Sequence, residues 1–138
     1  MARPDQVRLT ITAKSGSRTS TVTVCYVVRF NDADVKDNLR YRETITLFGE
    51  DPPPGPAGDD PLFTFPPITV RPDGQRTRTF CRTAEVRNRI LDEDRGHEED
   101  EIYARVCLSR RGQQRCAQSG FISQLVAEES GSAEEAES

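Results

Sequence analysis

Four cysteines, one histidine and two dense runs of acids are the side chains in this sequence with chemistry to offer. The cysteines stand at positions 25, 81, 107 and 116 with no Cys-x-x-Cys among them, so the ligand spacing of zinc ribbons and of thioredoxin-like redox sites is missing. One pairing follows from local geometry. A two-residue turn at Arg111-Gly112, between two strand-like runs, sets Cys107 opposite Cys116. Counting out from the turn, that pair falls on a non-hydrogen-bonded position, where Cα atoms approach most closely and a disulfide fits with little strain. Four reduced cysteines behaving as small hydrophobes are the alternative. The register points to an oxidising, extracytoplasmic setting, while Met1-Ala2-Arg3-Pro4-Asp5 lacks the apolar stretch of a secretory signal.

The case for catalysis is thin. His97, the single imidazole, sits in Arg95-Gly96-His97-Glu98-Glu99; neighbouring carboxylates would hold it protonated, which suits a counter-ion better than a base. No glycine pattern that cradles phosphate occurs, and nothing fixes two acids at the defined separation a glycosidase needs. Trp, the usual platform for sugar stacking, is absent. A non-enzymatic protein is therefore expected, with a small hydrolase as the remote alternative.

Charge divides the chain. All 19 Lys and Arg precede residue 128, and five of the 23 acids follow residue 127, leaving a nearly neutral body and an acidic tail. Neither attracts nucleic acid. Among the cations Arg outnumbers Lys 17 to 2, a bias that fits the codon usage of a GC-rich bacterial genome and assigns no function. No apolar run approaches the ~20 residues of a membrane-spanning helix.

The elements that must carry these residues are short strands. Val, Ile, Thr, Tyr and Phe alternate with polar residues, and helical spacings of three and four are missing. Seven strands are expected, A to G, at 6–12, 20–30, 40–48, 62–70, 75–84, 101–109 and 114–125. In strand B, Val22, Val24, Tyr26, Val28 and Phe30 face the core; in strand F, Ile102, Ala104, Val106 and Leu108 do, leaving Tyr103, Arg105 and Cys107 outside. Pro66-Pro67 confines strand D to a sheet edge. Strand E turns Arg78 and Arg82 inward beside Phe80, a placement that requires them to snorkel at the strand ends. Val86, Ile90 and Leu91 suit a short helical turn between E and F, the only helix expected. Threonines at 10, 12, 21, 23, 77, 79 and 83 line an outer face. Residues 50–61 form a long Pro-rich acidic loop, and 127–138 a disordered acidic tail behind a single domain spanning 1–126.

Seven short strands with regular turn signals resemble the immunoglobulin and fibronectin type III sandwiches, so the expected fold is all-β, a single antiparallel β-sandwich. Tyr103 lies near the start of strand F, where a tyrosine corner would sit, but four residues before Cys107 instead of two. The resemblance implies that strands B and E are neighbours, and with that a second disulfide, Cys25 to Cys81. It also implies that the A–B, C–D and E–F loops share one end. That end gathers eleven acids, among them Asp59, Asp60, Asp92 and Asp94, whose hard oxygen ligands would suit Ca2+. Leu91-Asp92-Glu93-Asp94 resembles the acidic motif with which cadherin repeats hold calcium, without the other cadherin motifs; no EF-hand loop occurs. No other cofactor is indicated. The opposite end carries Arg76, Arg110, Arg111 and Arg115 on its turns. Poles of unlike charge could stack head to tail as a homo-oligomer, or engage an unknown protein partner. The function expected is a binding or structural module acting through protein contacts, with a Ca2+-dependent adhesion or accessory module as the alternative.

Overall fold

The computed structural model describes residues 1–49, 60–91, 101–120 and 122–123. Two antiparallel sheets pack face to face, so the fold is the expected β-sandwich. One sheet has the order β1 (Arg3–Ala13), β2 (Thr19–Arg29), β6 (Thr77–Arg87). The other runs β4 (Asp60–Thr64), β3 (Tyr41–Gly49), β7 (Glu101–Arg110), β8 (Gln113–Gln118), with β5 (Ile68–Val70) also on β3 and β9 (Ile122–Ser123) also on β7.

Nine strands appear among the described residues where seven were expected, because two of the seven are broken. Phe65-Pro66-Pro67 divides strand D into β4 and β5: two successive residues without N–H groups cannot continue a ladder. Strand G stops at Gln118, where Ser119 turns inward, its hydroxyl accepting from the Ala104 N–H at 2.9 Å, before β9 rejoins β7. The connections follow turn chemistry. Arg111-Gly112 (φ 52° and 79°) holds both central residues in the left-handed region, the type I′ geometry whose twist matches the paired strands β7 and β8; Asp73-Gly74 (φ 49° and 84°) takes the same backbone conformation where the chain crosses from β5 to β6 in the other sheet.

The core takes one face from each strand. Val22, Val24, Tyr26 and Val28 of β2 and Ile102, Ala104, Val106 and Leu108 of β7 are fully enclosed, as their alternation requires. From β3 come Tyr41, Glu43, Ile45 and Leu47. Tyr103 and Cys107 depart from expectation: both lie on the outer side of β7, yet both are buried. β7 is flanked by β3 and β8, so cross-strand neighbours cover its outer face. Tyr103 stacks on Phe48 at 5.5 Å, the Arg105 guanidinium lies over Phe48, and Cys107 is bonded to Cys116.

Two helices are present among the described residues, where one was expected. α2 (Asn88–Leu91) begins later than the sequence suggested, Val86 remaining in β6. α1 (Asp32–Asp37) is a correction to the sequence reading. Its Asn31 side chain accepts from the Asp34 N–H while the Asp34 carboxylate accepts from the Asn31 N–H, a reciprocal capping box, and Asn38 closes it in the left-handed conformation. Six residues are too few for periodicity to reveal; the signal was in the caps.

Candidate functional site

Both disulfides join directly opposed residues of neighbouring strands. Cys107 faces Cys116 across β7 and β8, and Cys25 faces Cys81 across β2 and β6, with Cα atoms 4.1 Å apart in each pair. These are non-hydrogen-bonded positions, the closest approach an antiparallel ladder offers. Each bridge therefore staples a sheet from its outer side and takes no space in the core.

At the pole formed by α1 and the β7–β8 turn, the structure builds a cleft of about 280 Å³ lined by Met1, Asn31, Asp34, Leu39, Tyr41, Arg110, Arg111 and Gln113 among others. Its floor is rigid. Asp34 is buried at the first turn of α1 and accepts from the Tyr41 hydroxyl at 2.6 Å; that hydroxyl in turn accepts from the Ala2 N–H at 3.1 Å. Burial, then the hydrogen bond to Asp34, push the Tyr41 phenol above its ordinary range. Of the four arginines expected here, the structure brings Arg110 and Arg111 to the rim. Arg76 is bound instead to Asp32 of α1 at 2.6 Å, and Arg115 lies exposed along β8 opposite Leu108. Neither Arg110 nor Arg111 has a carboxylate partner among the described residues. Two guanidinium groups over a floor of hydrogen-bonded polar groups can donate to carboxylate or carbonyl oxygens.

At the opposite pole, nine of the eleven acids expected there lie outside the described residues. A cleft of about 520 Å³ there is lined by Ser17, Arg18, Thr19, Arg87, Asn88 and Arg89, so arginines stand at both ends of the sandwich. Asn88 builds its wall, donating from its side chain to the Ser17 carbonyl at 3.0 Å and accepting from Ser20. Of the four calcium candidates, Asp60 begins β4 opposite Gly49, while Asp59, Asp92 and Asp94 lie outside the described residues, as do His97 and the 127–138 tail. The described residues contain no group of three or more potential metal ligands.

Sequence reasoning missed one cluster. Glu43 of β3 is fully enclosed and bonded to the Tyr26 hydroxyl of β2 and the Arg82 guanidinium of β6. Arg82 also donates to the Pro66 carbonyl at 2.8 Å. The inward arginine thus meets a buried carboxylate across the sheets instead of snorkelling at a strand end. Arg78 leans over the Phe80 ring and donates to the Arg71 carbonyl at 2.6 Å. Burial pushes the Glu43 carboxyl above the usual range, against the opposing pull of Tyr26 and Arg82, and burial beside Glu43 also raises Tyr26. The signal was present in the alternation: Glu43 and Arg82, opposite in charge, both occupy core-facing positions.

No protein-family model and no curated protein matches the chain. Solved structures similar to it include three glucosidases. Beta-glucosidase 3B from Thermotoga neapolitana has a TM-score of 0.42 at 14% identity, over 88% of this chain and 16% of that one. Beta-D-glucoside glucohydrolase from Trichoderma reesei gives 0.37 at 14% identity, over 87% and 18%. GH3 beta-glucosidase from Bifidobacterium adolescentis gives 0.35 at 12% identity, over 90% and 17%. The chain spans less than a fifth of the length of each. Likeness of this kind transfers no chemistry, since one layered fold serves many activities.

Proposed function

We propose that this chain is a non-enzymatic β-sandwich module that acts through protein–protein contacts, with the pole of α1 and the β7–β8 turn as its contact surface. The observation that carries this reading is the pair Arg110 and Arg111: cations without a carboxylate partner among the described residues, beside a cleft where Asn31, Asp34 and Tyr41 are held by hydrogen bonds of their own. The enclosed ionisable groups, Asp34, Glu43 and Tyr26, are engaged in bonds that fix the scaffold. A partner presenting acidic or carbonyl-rich surface would complement the arginines. Two disulfides fit an oxidising compartment, and we place the protein there.

The test is charge reversal in the full chain, Arg110→Glu with Arg111→Glu. Proteins cross-linked to the native chain should be lost from the variant while its unfolding midpoint is unchanged. Recovery of the same proteins by the variant would move the contact surface elsewhere. The Ca2+-dependent alternative predicts a melting temperature several degrees higher in millimolar Ca2+ than in EDTA, abolished by substituting Asp59, Asp60, Asp92 and Asp94. A hydrolase would turn over an ester or glycoside panel through successive purification steps.

A further inference from the structure

We propose that the outer edge of β6, unpaired among the described residues, is an association surface for a second copy of this chain, pairing antiparallel about Cys81 so that the two three-stranded sheets become one sheet of six strands. An edge strand carries a row of unpaired backbone groups, and folded proteins ordinarily blunt it with prolines, bulges or short length. Among the described residues, two of the four edges here are blunted, and a third is about half the length of β6. β1 contains Pro4 and a bulge between Asp5 and Arg8, with Gln6 at φ 51°. The β4–β5 edge is cut by Pro66-Pro67. β8 has six residues. β6 differs: eleven residues without proline, paired to β2 in unbroken register from Thr77 opposite Arg29 to Arg87 opposite Thr19.

The disulfide fixes which groups point outward. Because Cys25 and Cys81 form a non-hydrogen-bonded pair, hydrogen-bonded pairs alternate with it, and Thr77, Thr79, Cys81, Thr83 and Glu85 direct their N–H and C=O groups away from β2. Their side chains are exposed. The two charges on the inner side do not project past the edge, since Arg82 is held by Glu43 and the Pro66 carbonyl, and Arg78 by the Arg71 carbonyl and Asp73.

Self-complementarity selects the occupant. With the two-fold axis at Cys81, Thr79 meets Thr83 of the second copy twice over, and Thr77 meets Glu85 of the second copy. On the inner side Arg78 meets Ala84, and Phe80 meets Arg82. No like charges are opposed, and threonine pairs favour such a ladder. Moving the axis to position 82 would set two Arg82 residues against each other. An interface of this kind is isologous and closes as a dimer.

The experiment is sedimentation of the full oxidised chain over a wide concentration range. A two-copy mass is expected for the native chain. Thr83→Pro removes an outward N–H that the β2 ladder does not use, and should yield a one-copy mass with unchanged circular dichroism. Thr79→Lys with Thr83→Lys should also abolish the dimer by opposing lysines, and Thr79→Lys with Thr83→Glu should restore it; this pair decides the matter if the proline variant does not fold. A one-copy mass for the native chain at every concentration would overturn the proposal, as would a dimer that survives both blocking variants. Slow amide exchange at Thr79 and Thr83 in a one-copy species would overturn it too, by assigning the edge to another segment of the same chain.

Discussion

The most consequential single contact is the buried carboxylate of Glu43 against Arg82. An enclosed charge is tolerated when it is paired and hydrogen-bonded, and becomes costly when one partner is removed. Arg82→Ala should therefore destabilise the protein by about 3 kcal/mol at neutral pH, read from the midpoint of urea unfolding. Glu43→Leu with Arg82→Met should recover most of that loss, since it removes both charges at similar volume. The same residue predicts a pH dependence. Its folded pKa is raised, so its favourable contribution is complete below the ordinary glutamate value and declines as pH rises through the higher folded value. Native stability should thus fall relative to Glu43→Gln between weakly acidic and neutral pH. An increase would mean that Arg82 and Tyr26 outweigh the loss of hydration.

At the scale of elements, the bridges and the caps carry separable contributions. In the chain-entropy description a disulfide stabilises according to the loop it closes, and the two bridges span 56 and 9 residues of sequence. Replacing Cys25 and Cys81 by Ala should cost about 4 kcal/mol, and replacing Cys107 and Cys116 about 2.5 kcal/mol. Equal losses in urea unfolding would show that the difference in loop length is not what matters. The capping box of α1 is worth about 1 kcal/mol at Asn31, so Asn31→Ala should lower the unfolding midpoint by that amount. If the cleft is the contact surface, partner binding should weaken by more than the stability loss explains, because α1 positions one wall of it.

At the scale of the whole molecule, both sheets share one core. Tyr26 and Val28 of one sheet belong to the same enclosed cluster as Ile45, Leu47 and Val106 of the other, and the Glu43 cluster ties them a second time. Neither sheet has a core of its own. Oxidised protein should accordingly unfold in one transition, with far-ultraviolet circular dichroism and tyrosine fluorescence giving the same urea midpoint. Separate midpoints would mean that one sheet persists without the other.

The sequence by itself determined the class of fold, the inward faces of β2 and β7, the Arg111-Gly112 turn and the Cys107–Cys116 pairing. Each depends on information that is local: a period of two in side-chain direction, or the few backbone conformations that close a two-residue loop. The tertiary structure decided the rest. Glu43 and Arg82 lie 39 residues apart, and only the stacking of one sheet on the other reveals each as the other's partner. Tyr103 and Cys107 were assigned to the correct side of β7, but their burial depends on Phe48 and Cys116 arriving from adjacent strands. α1 was written in its caps, in six residues that hydrophobic periodicity cannot detect. Arginines stand at both poles because loop ends distant in sequence converge there, and charge counted along the chain carries no record of that convergence. Local preferences fix what each segment does alone; which charges are neutralised is settled only when the layers meet.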